Sequence, residues 1–191
     1  MGYRHNREEI LEGALAEVAE TGLSQLSFGR LAKRMDITDR MVVYYFPTKD
    51  DLLTAVVVEL GLQLQRLLEE AFGSDRLPAA ELERRAWPVL TGPTGDRVFA
   101  VFFELVGLSA VGLAPFNTLA PLLMHGWVDW LAPHIDTDVA ANGRKETLGV
   151  VARLDGLLLL RGALGAEAAE LAARQLGVTG PRLAAARRGE R

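Results

Sequence analysis

Residues 26–53 read LSFGRLAKRMDITDRMVVYYFPTKDDLL, and this stretch decides the fold. Three hydroxyl residues divide it, because Ser27, Thr38 and Thr48 each stand at a helix N-cap position before a segment with helical apolar spacing. Only residues 36–37 separate the first two segments, so the connection is a tight turn and the two short helices must cross steeply. A short helix, a tight turn and a second short helix form a helix-turn-helix.

The outward side of the second short helix has a composition that does not suit bulk solvent. Ile37, Val42 and Phe46 are the apolar positions expected to join the small core. The side chains that remain on the outward side or at its edge are Asp39, Arg40, Met41, Val43, Tyr44 and Tyr45. A surface with two tyrosines, an arginine and two apolar groups predicts a partner. The alternative is a solvated amphipathic pair of helices.

Positive charge is concentrated in the same region. From Phe28 to Lys49 the chain has five cations and two acids, a net charge of +3, whereas the whole chain has a net charge of −4. The whole chain therefore generates no positive field, and any contact with DNA must come from this local patch. Its cations are Arg30, Lys33, Arg34, Arg40 and Lys49.

The stretch resembles the N-terminal DNA-binding domain of the tetracycline-repressor (TetR) family of bacterial regulators. The resemblance covers roughly residues 5–60 and runs in register through Ser27, Leu31, Ala32, Ile37, Thr38, Val42, Tyr44, Phe46, Thr48, Lys49, Leu52 and Leu53. Asp36 stands where the family usually has Gly in the turn, Val43 where it often has Tyr, and Tyr45 where it often has His. Because Asp tolerates the left-handed conformation better than most residues, the turn is expected to persist.

The resemblance implies contacts with double-stranded DNA from Ser27, Phe28, Gly29, Thr38, Asp39, Arg40, Met41, Tyr44, Tyr45 and Lys49. Ser27 and the amides beside it suit a phosphate at a helix N-terminus, and Lys49 can reach the DNA backbone. Arg40 is the candidate for reading guanine, since a bidentate Arg–guanine pair is the commonest specific contact. Asp39 would accept from cytosine N4 or, as the favoured alternative, only compensate the helix dipole.

The chain as a whole predicts an all-α fold with two parts. Residues 1–49 form the helix-turn-helix domain, and a long helix over 50–72 connects it to a larger helical domain over 74–180. The tail over 181–191 has little to bury. Helices of the larger domain are expected at about 79–91, 96–112, 116–133, 138–163 and 166–177, separated by breaks that contain Gly or Pro.

One helix-turn-helix makes few DNA contacts, so the chain is expected to act as a homodimer. The helix over Glu146–Leu164 is apolar round much of its circumference and must be covered on several sides. TetR-family members pair through their last two long helices, which implies an interface here that includes Leu154, Leu157, Leu158 and Arg161. Asp155 would cap across that interface or face solvent. The alternative is a helix that belongs only to the core of its own subunit.

The middle helices hold most of the bulky aromatic side chains. Small-molecule sites are mostly apolar with a few polar groups, and the family resemblance implies an effector site in this domain. The candidates are Trp87, Phe99, Phe103, Glu104, Met124 and Trp127. The alternative is ordinary core, because aromatic residues at helical spacing more often pack than bind a ligand.

Other classes of function find little support. The chain has no cysteine and three histidines without metal-site spacing, and it has no phosphate loop or nucleophile motif, so no metal, cofactor or enzyme activity is expected. Residues 98–115 carry one charge, Glu104, and approach the length of a membrane span. A buried helix is favoured, because a lipid-facing Glu is costly. With no signal peptide at the N-terminus, a cytoplasmic location away from the membrane is expected.

These observations predict a ligand-responsive DNA-binding transcriptional regulator, most simply a repressor that releases a palindromic operator on binding a small, largely hydrophobic effector. Two alternatives stay open. A DNA-binding regulator without an effector would pack its aromatic residues solidly. A helical membrane or scaffold protein would place residues 98–131 in lipid as a hairpin.

Overall fold

The computed structural model describes residues 6–137 and 143–180. Within these ranges the chain is helical, with no β-structure beyond one isolated bridge, and the expected all-α fold is confirmed. A 3-10 turn, Ala132–His134, follows α7. The α-helices of the described residues are α1 (Arg7–Thr21), α2 (Phe28–Met35), α3 (Asp39–Tyr45), α4 (Lys49–Phe72), α5 (Ala79–Leu90), α6 (Pro93–Ala110), α7 (Phe116–Leu131), α8 (Gly143–Leu164) and α9 (Ala166–Gln175).

Side-chain caps start the early helices at the residues that the sequence indicates. The Ser27 hydroxyl oxygen accepts a hydrogen bond from the Arg30 amide at 3.3 Å at the start of α2. Thr48 and Asp51 form a reciprocal capping box at the start of α4. Such bonds satisfy amides that a helix leaves unpaired in its first turn. Thr38 occupies the N-cap position of α3, but its hydroxyl makes no capping hydrogen bond.

Two hydrophobic clusters meet along α4. The N-terminal cluster joins α1, α2 and α3 to the first half of α4, and its buried members include Ile10, Leu31, Val42, Phe46 and Leu52. It also takes in side chains from two helices of the larger domain, hereafter the body: Val101, Leu105, Phe116, Leu119 and Ala120. Helix α1 therefore contacts α6 as well as α4, and α4 contacts both α6 and α7.

The second cluster fills the body between the second half of α4 and α5 to α9. Among its buried members are Leu64, Leu68, Phe72, Trp87, Val128, Leu131, Leu154, Leu157 and Leu158. Backbone hydrogen bonds close the body where α4 ends. The Leu77 amide donates to the His134 carbonyl, and the Asp136 amide donates to the Leu77 carbonyl, each at 2.8 Å.

Helix ends differ from the expected ones where proline stands at a boundary. Helix α6 begins at Pro93 and not at 96, since proline is tolerated in a first turn, where its missing N–H has no helical acceptor. The predicted start at 138 and the tail over 181–191 lie outside the described residues. Within the described ranges, no helix combines the length and apolarity needed to cross a membrane.

Candidate nucleic-acid interface and effector pocket

A left-handed residue makes the turn between α2 and α3. Asp36 has φ 55° and ψ 43°, and it is the one non-glycine residue with positive φ in the described part of the chain. The Ile37 amide donates to the Ala32 carbonyl at 3.0 Å and closes the turn. Since Asp adopts this conformation at low cost, the turn forms without glycine. It lets Leu31 of α2 and Val42 of α3 be buried in one cluster.

The outward side of α3 is exposed along its length. Tyr44 is 78% exposed, Asp39 and Arg40 are also exposed, and Met41 and Tyr45 lie half-buried at the edge. The rings of the two tyrosines meet edge to face, with their centroids 4.9 Å apart. One strip of α3 thus carries a guanidinium, a carboxylate and phenol hydroxyls, groups that suit base edges and phosphates in a major groove.

Helix α1 neutralises two of the cations in this region. Arg30 pairs with Glu17 at 3.0 Å, and Arg34 pairs with both Glu17 and Glu20. Burial alone would raise the pKa of Glu17, but hydrogen bonds from the two arginines outweigh burial and hold that pKa below its ordinary value. Fewer unpaired cations are therefore available to a duplex than the sequence count indicates. In the described part of the chain, the cations of this region that make no ion pair are Lys33, Arg40 and Lys49.

The starts of α2, α3 and α4 supply the other predicted DNA contacts. The Asp39 carboxylate lies 3.7 Å from the position that a Cβ atom on Gly29 would occupy, so the first turns of α2 and α3 are adjacent. Exposed or half-buried at these helix starts are Ser27, Phe28, Gly29, Thr38 and Lys49. The arrangement leaves amides and hydroxyls beside the exposed strip of α3, where phosphates would lie if the strip entered a groove.

Glu104 joins the body to the DNA-binding helices. Its carboxylate, on α6, accepts hydrogen bonds from the backbone amides of Leu23 at 2.8 Å and Ser24 at 3.0 Å, just after α1. Gly22 precedes these amides with a φ of 86°. Glu104 was expected to line an effector pocket, but its carboxylate binds these amides and it does not line the cavity that α6 forms with α4, α7 and α8.

A cavity opens in the body between α4, α6, α7 and α8. Its apolar walls include Leu64, Phe99, Phe102, Met124 and Trp127. The volume of the cavity is about 50 Å³. Three of the six predicted effector residues, Phe99, Met124 and Trp127, are brought together here.

The two remaining candidates lie elsewhere. Trp87 is buried, and its indole N–H donates to the Glu170 carboxylate on α9 at 3.1 Å. Phe103 lines a shallow depression beside Asp96 and Arg161. Neither residue lines the cavity, because Trp87 packs in the core and Phe103 lies one helical turn beyond Phe99, in the depression that both phenylalanines line.

The DNA-binding helices match a known family. Residues 10–56, from α1 into the first half of α4, match the family model of bacterial regulatory proteins of the tetR family. This part of the chain is therefore similar to the N-terminal domain of TetR-family regulators. The matched residues include the turn at Asp36 and the whole of α3, so the exposed strip lies within the part of the chain that resembles the family.

Solved structures share the fold over almost the whole chain. A protein from Rhodococcus sp. assigned to the TetR-family regulators has a TM-score of 0.71 and 16% identity, covering 91% of this chain and 98% of its own. A TetR regulator from Legionella pneumophila has a TM-score of 0.67 and 20% identity, with 93% and 97% covered. The multidrug binding protein EbrR, in complex with imidazole, has a TM-score of 0.66 and 24% identity, with 95% and 96% covered. No curated protein gives a significant match.

The residues expected at a dimer interface make contacts within their own subunit. Leu154, Leu157 and Leu158 are buried in the body. Arg161 donates to the Asp96 carboxylate at 2.6 Å and to the Thr91 carbonyl at 3.0 Å. Their assignment to a dimer interface stays a prediction; within the subunit, α8 is apolar on two sides, and these leucines lie on the side that faces the body. The leucines that α8, α9 and their ends expose are Leu148, Leu159, Leu160, Leu164, Leu171 and Leu176.

Sequence reasoning missed Asp155 as a cavity residue. It lies on the same stripe of α8 as Val151, Leu154 and Leu158, and helical periodicity places that stripe on one face. Of the residues that the structure describes, it is the one charged residue in the cavity wall, and burial raises the pKa of its carboxyl to about 6. A lone acid on an apolar stripe was the signal that could have found it.

Proposed function

We propose that the protein is a homodimeric, ligand-responsive transcriptional repressor that releases a palindromic operator when a small, largely hydrophobic effector enters the body. The observation that carries this proposal is that α6 contacts both the cavity and the segment that follows α1. Phe99 and Phe102 form walls of the cavity, while Glu104 on the same helix holds the amides that follow α1. A molecule that displaces α6 therefore also acts on the DNA-binding helices.

In this proposal α3 enters the major groove. Arg40 reads guanine, since it is exposed and makes no ion pair among the described residues. The hydroxyls of Tyr44 and Tyr45 and the cation of Lys49 bind phosphate or sugar, as do the amides at the start of α2. Asp39 stays beside Gly29 and compensates the first turn of its helix.

Two subunits pair through α8 and α9. The exposed leucines of these helices form an apolar surface that a second copy of the chain would cover. Pairing places two recognition helices about 34 Å apart, which matches successive major grooves on one side of a duplex. A twofold pair reads a palindrome.

The effector acts by preferring one arrangement of the pair. Complete switching from DNA-competent to DNA-incompetent subunits takes about 5.5 kcal/mol of preference, and partial induction takes less. The fold neighbour EbrR is a multidrug binding protein solved with imidazole and with proflavin. Together with the aromatic walls of the cavity, that supports a small ring-containing molecule as the effector.

Selection of bound fragments from random duplexes by the full-length protein tests the DNA part. The expected result is a palindromic sequence whose half-sites are one helical turn apart, with affinity that falls steeply as salt rises. An enriched pool without a palindrome, or no enrichment, contradicts the proposal. Titration of small molecules against the selected duplex then tests release.

A regulator without an effector is the second candidate. It is favoured by the small size of the cavity, whose volume is about 50 Å³. If a molecule that saturates the cavity leaves the affinity for the selected duplex unchanged, this candidate replaces the ligand-responsive one.

A further inference from the structure

Asp155 stands where two spaces in the body meet. The cavity between α4, α6, α7 and α8 adjoins a smaller cleft that reaches toward α5. Three residues line both spaces: Phe99 of α6, Trp127 of α7 and Asp155 of α8. The carboxylate therefore faces the part of the interior with two aromatic side chains.

Within residues 6–137 and 143–180, no other charged residue lines either space. The side chains that α4, α5, α6 and α7 contribute to both walls are apolar. Among the described residues Asp155 has no hydrogen-bond or ion-pair partner, although α8 carries three arginines. Each arginine is bound to a different carboxylate: Arg144 to Asp129, Arg153 to Glu83 and Arg161 to Asp96.

An unpaired carboxylate in apolar surroundings costs stability, and here the fold supplies no cation to offset that cost. A bound ligand can supply the missing positive charge. The faces of aromatic rings attract a cation as well, most strongly when water is excluded. A site with one acid, a phenyl ring and an indole ring therefore prefers a positive charge to a neutral polar group.

We propose that the cavity binds organic monocations with a compact apolar body, such as aromatic amines, and holds their positive charge at the Asp155 carboxylate beside Phe99 and Trp127. The inference rests on the proposed function in one respect, that the cavity is the effector site. It adds the chemical class of the effector. Neutral molecules of the same shape fill the same apolar walls but leave the carboxylate without a partner.

Matched probes test the role of charge. Benzylammonium and naphthylmethylammonium are cations near neutral pH, and benzyl alcohol and naphthylmethanol are their uncharged counterparts with nearly the same shape. Binding to the full-length protein is measured by titration calorimetry. We expect each cation to bind at least about tenfold more tightly than its alcohol, which corresponds to about 1.4 kcal/mol.

The variant Asp155→Asn keeps the shape of the side chain and removes its charge. It should lose about tenfold or more of the affinity for the cations and little of the affinity for the alcohols. Asp75→Asn makes the same change at an exposed position between α4 and α5 and should alter neither. Equal affinity for cation and alcohol, cation binding that survives Asp155→Asn, or failure of all four probes to bind overturns the inference.

The outcomes separate this inference from the proposed function. Release of the selected duplex by an alcohol at a concentration that saturates the cavity would uphold the effector site and reject the preference for charge. Cation binding that depends on Asp155 but leaves DNA affinity unchanged would uphold the charge preference and reject ligand-controlled release.

Discussion

The Glu104 carboxylate packs so closely against Gly22 that only glycine leaves room for it at position 22. A Cβ atom on Gly22 would lie 2.7 Å from Oε2 of Glu104. The backbone of Gly22, with φ 86° and ψ 166°, is also in a region that is essentially confined to glycine. The two residues are thus fitted to each other at the junction between the body and the DNA-binding helices.

Gly22→Ala should loosen this junction. The methyl group displaces the Glu104 carboxylate and strains the backbone, so we expect a loss of about 1–3 kcal/mol in the free energy of unfolding. Amide hydrogen exchange at Leu23 and Ser24 should accelerate beyond the effect on the rest of α1. Gly112→Ala is the control, because Gly112 also has positive φ, 75°, but no atom lies within 4 Å of its added Cβ. If amide exchange at Leu23 and Ser24 accelerated equally in both variants, the close packing of Glu104 against Gly22 would not be the cause.

Arg40→Ala should change which sequences are bound. If Arg40 pairs with guanine, its loss relaxes discrimination at one base position by about 1–3 kcal/mol and leaves other positions alone. Competition binding with single-base variants of the selected duplex measures this. Arg66→Ala, an exposed arginine on α4 that pairs with Glu59, is the control and should leave the profile unchanged. A uniform loss across all bases would assign Arg40 to the phosphate backbone.

Lys49→Ala should weaken binding to every sequence alike. A phosphate contact carries no base information, and its removal lowers the dependence of log affinity on log salt by about one unit. Affinities measured across a salt series give this slope. Lys145→Ala, at an exposed position in the first turn of α8, should leave the slope as it is. An unchanged slope in Lys49→Ala would place Lys49 away from the DNA.

Asp155 should make stability depend on pH. Its pKa is raised from 3.8 to about 6 by burial, so the folded chain binds more protons than the unfolded chain between these values. The free energy of unfolding therefore falls as pH rises through this window, by about 1–3 kcal/mol at about 1.4 kcal/mol per unit. Denaturant titrations of wild type and Asp155→Asn across this pH range give the difference in the free energy of unfolding between the two proteins. We expect the variant to become more stable relative to wild type by that amount as pH rises, because the contributions of all other carboxylates cancel in the difference. If the difference in the free energy of unfolding does not change with pH, the raised pKa of Asp155 is contradicted.

Leu159→Glu and Leu171→Glu should each dissociate the dimer. These side chains are 55% and 57% exposed, so a charge there leaves the subunit folded but disrupts an apolar interface on α8 and α9. Sedimentation at micromolar concentration reports the mass, and circular dichroism reports the fold. Leu122→Glu on α7, where the leucine is 58% exposed, is the control and should stay dimeric. Dissociation by the control alone would move the interface to α7.

The helix-turn-helix could be predicted from sequence because local chemistry determines it. Ser27 and Thr48 cap the helices where their hydroxyls stand, and Asp36 makes the turn that a two-residue connection requires. Each of these interactions joins residues within five positions of one another, so the order of residues is sufficient information.

The body was predicted less completely because its important contacts are distant in sequence. The bond from Glu104 to the Leu23 amide spans 81 positions, and no local pattern marks it. The leucines of α8 show the other difficulty. Leu157 and Leu159 are both apolar, and only the packing of α5 and α7 against one side decides that the first is buried and the second exposed.

The N-terminal cluster has a consequence for how the chain could be divided. Side chains of α6 and α7 complete the apolar interior around α1 and α4, so the helix-turn-helix domain is not an autonomous module. These side chains are Val101, Leu105, Phe116, Leu119 and Ala120. A fragment cut after α4 would expose Val56 and Val57, which are now buried, to water. The helix-turn-helix domain and the body therefore share the N-terminal cluster, and exchanging either part between proteins would require that shared packing to be rebuilt.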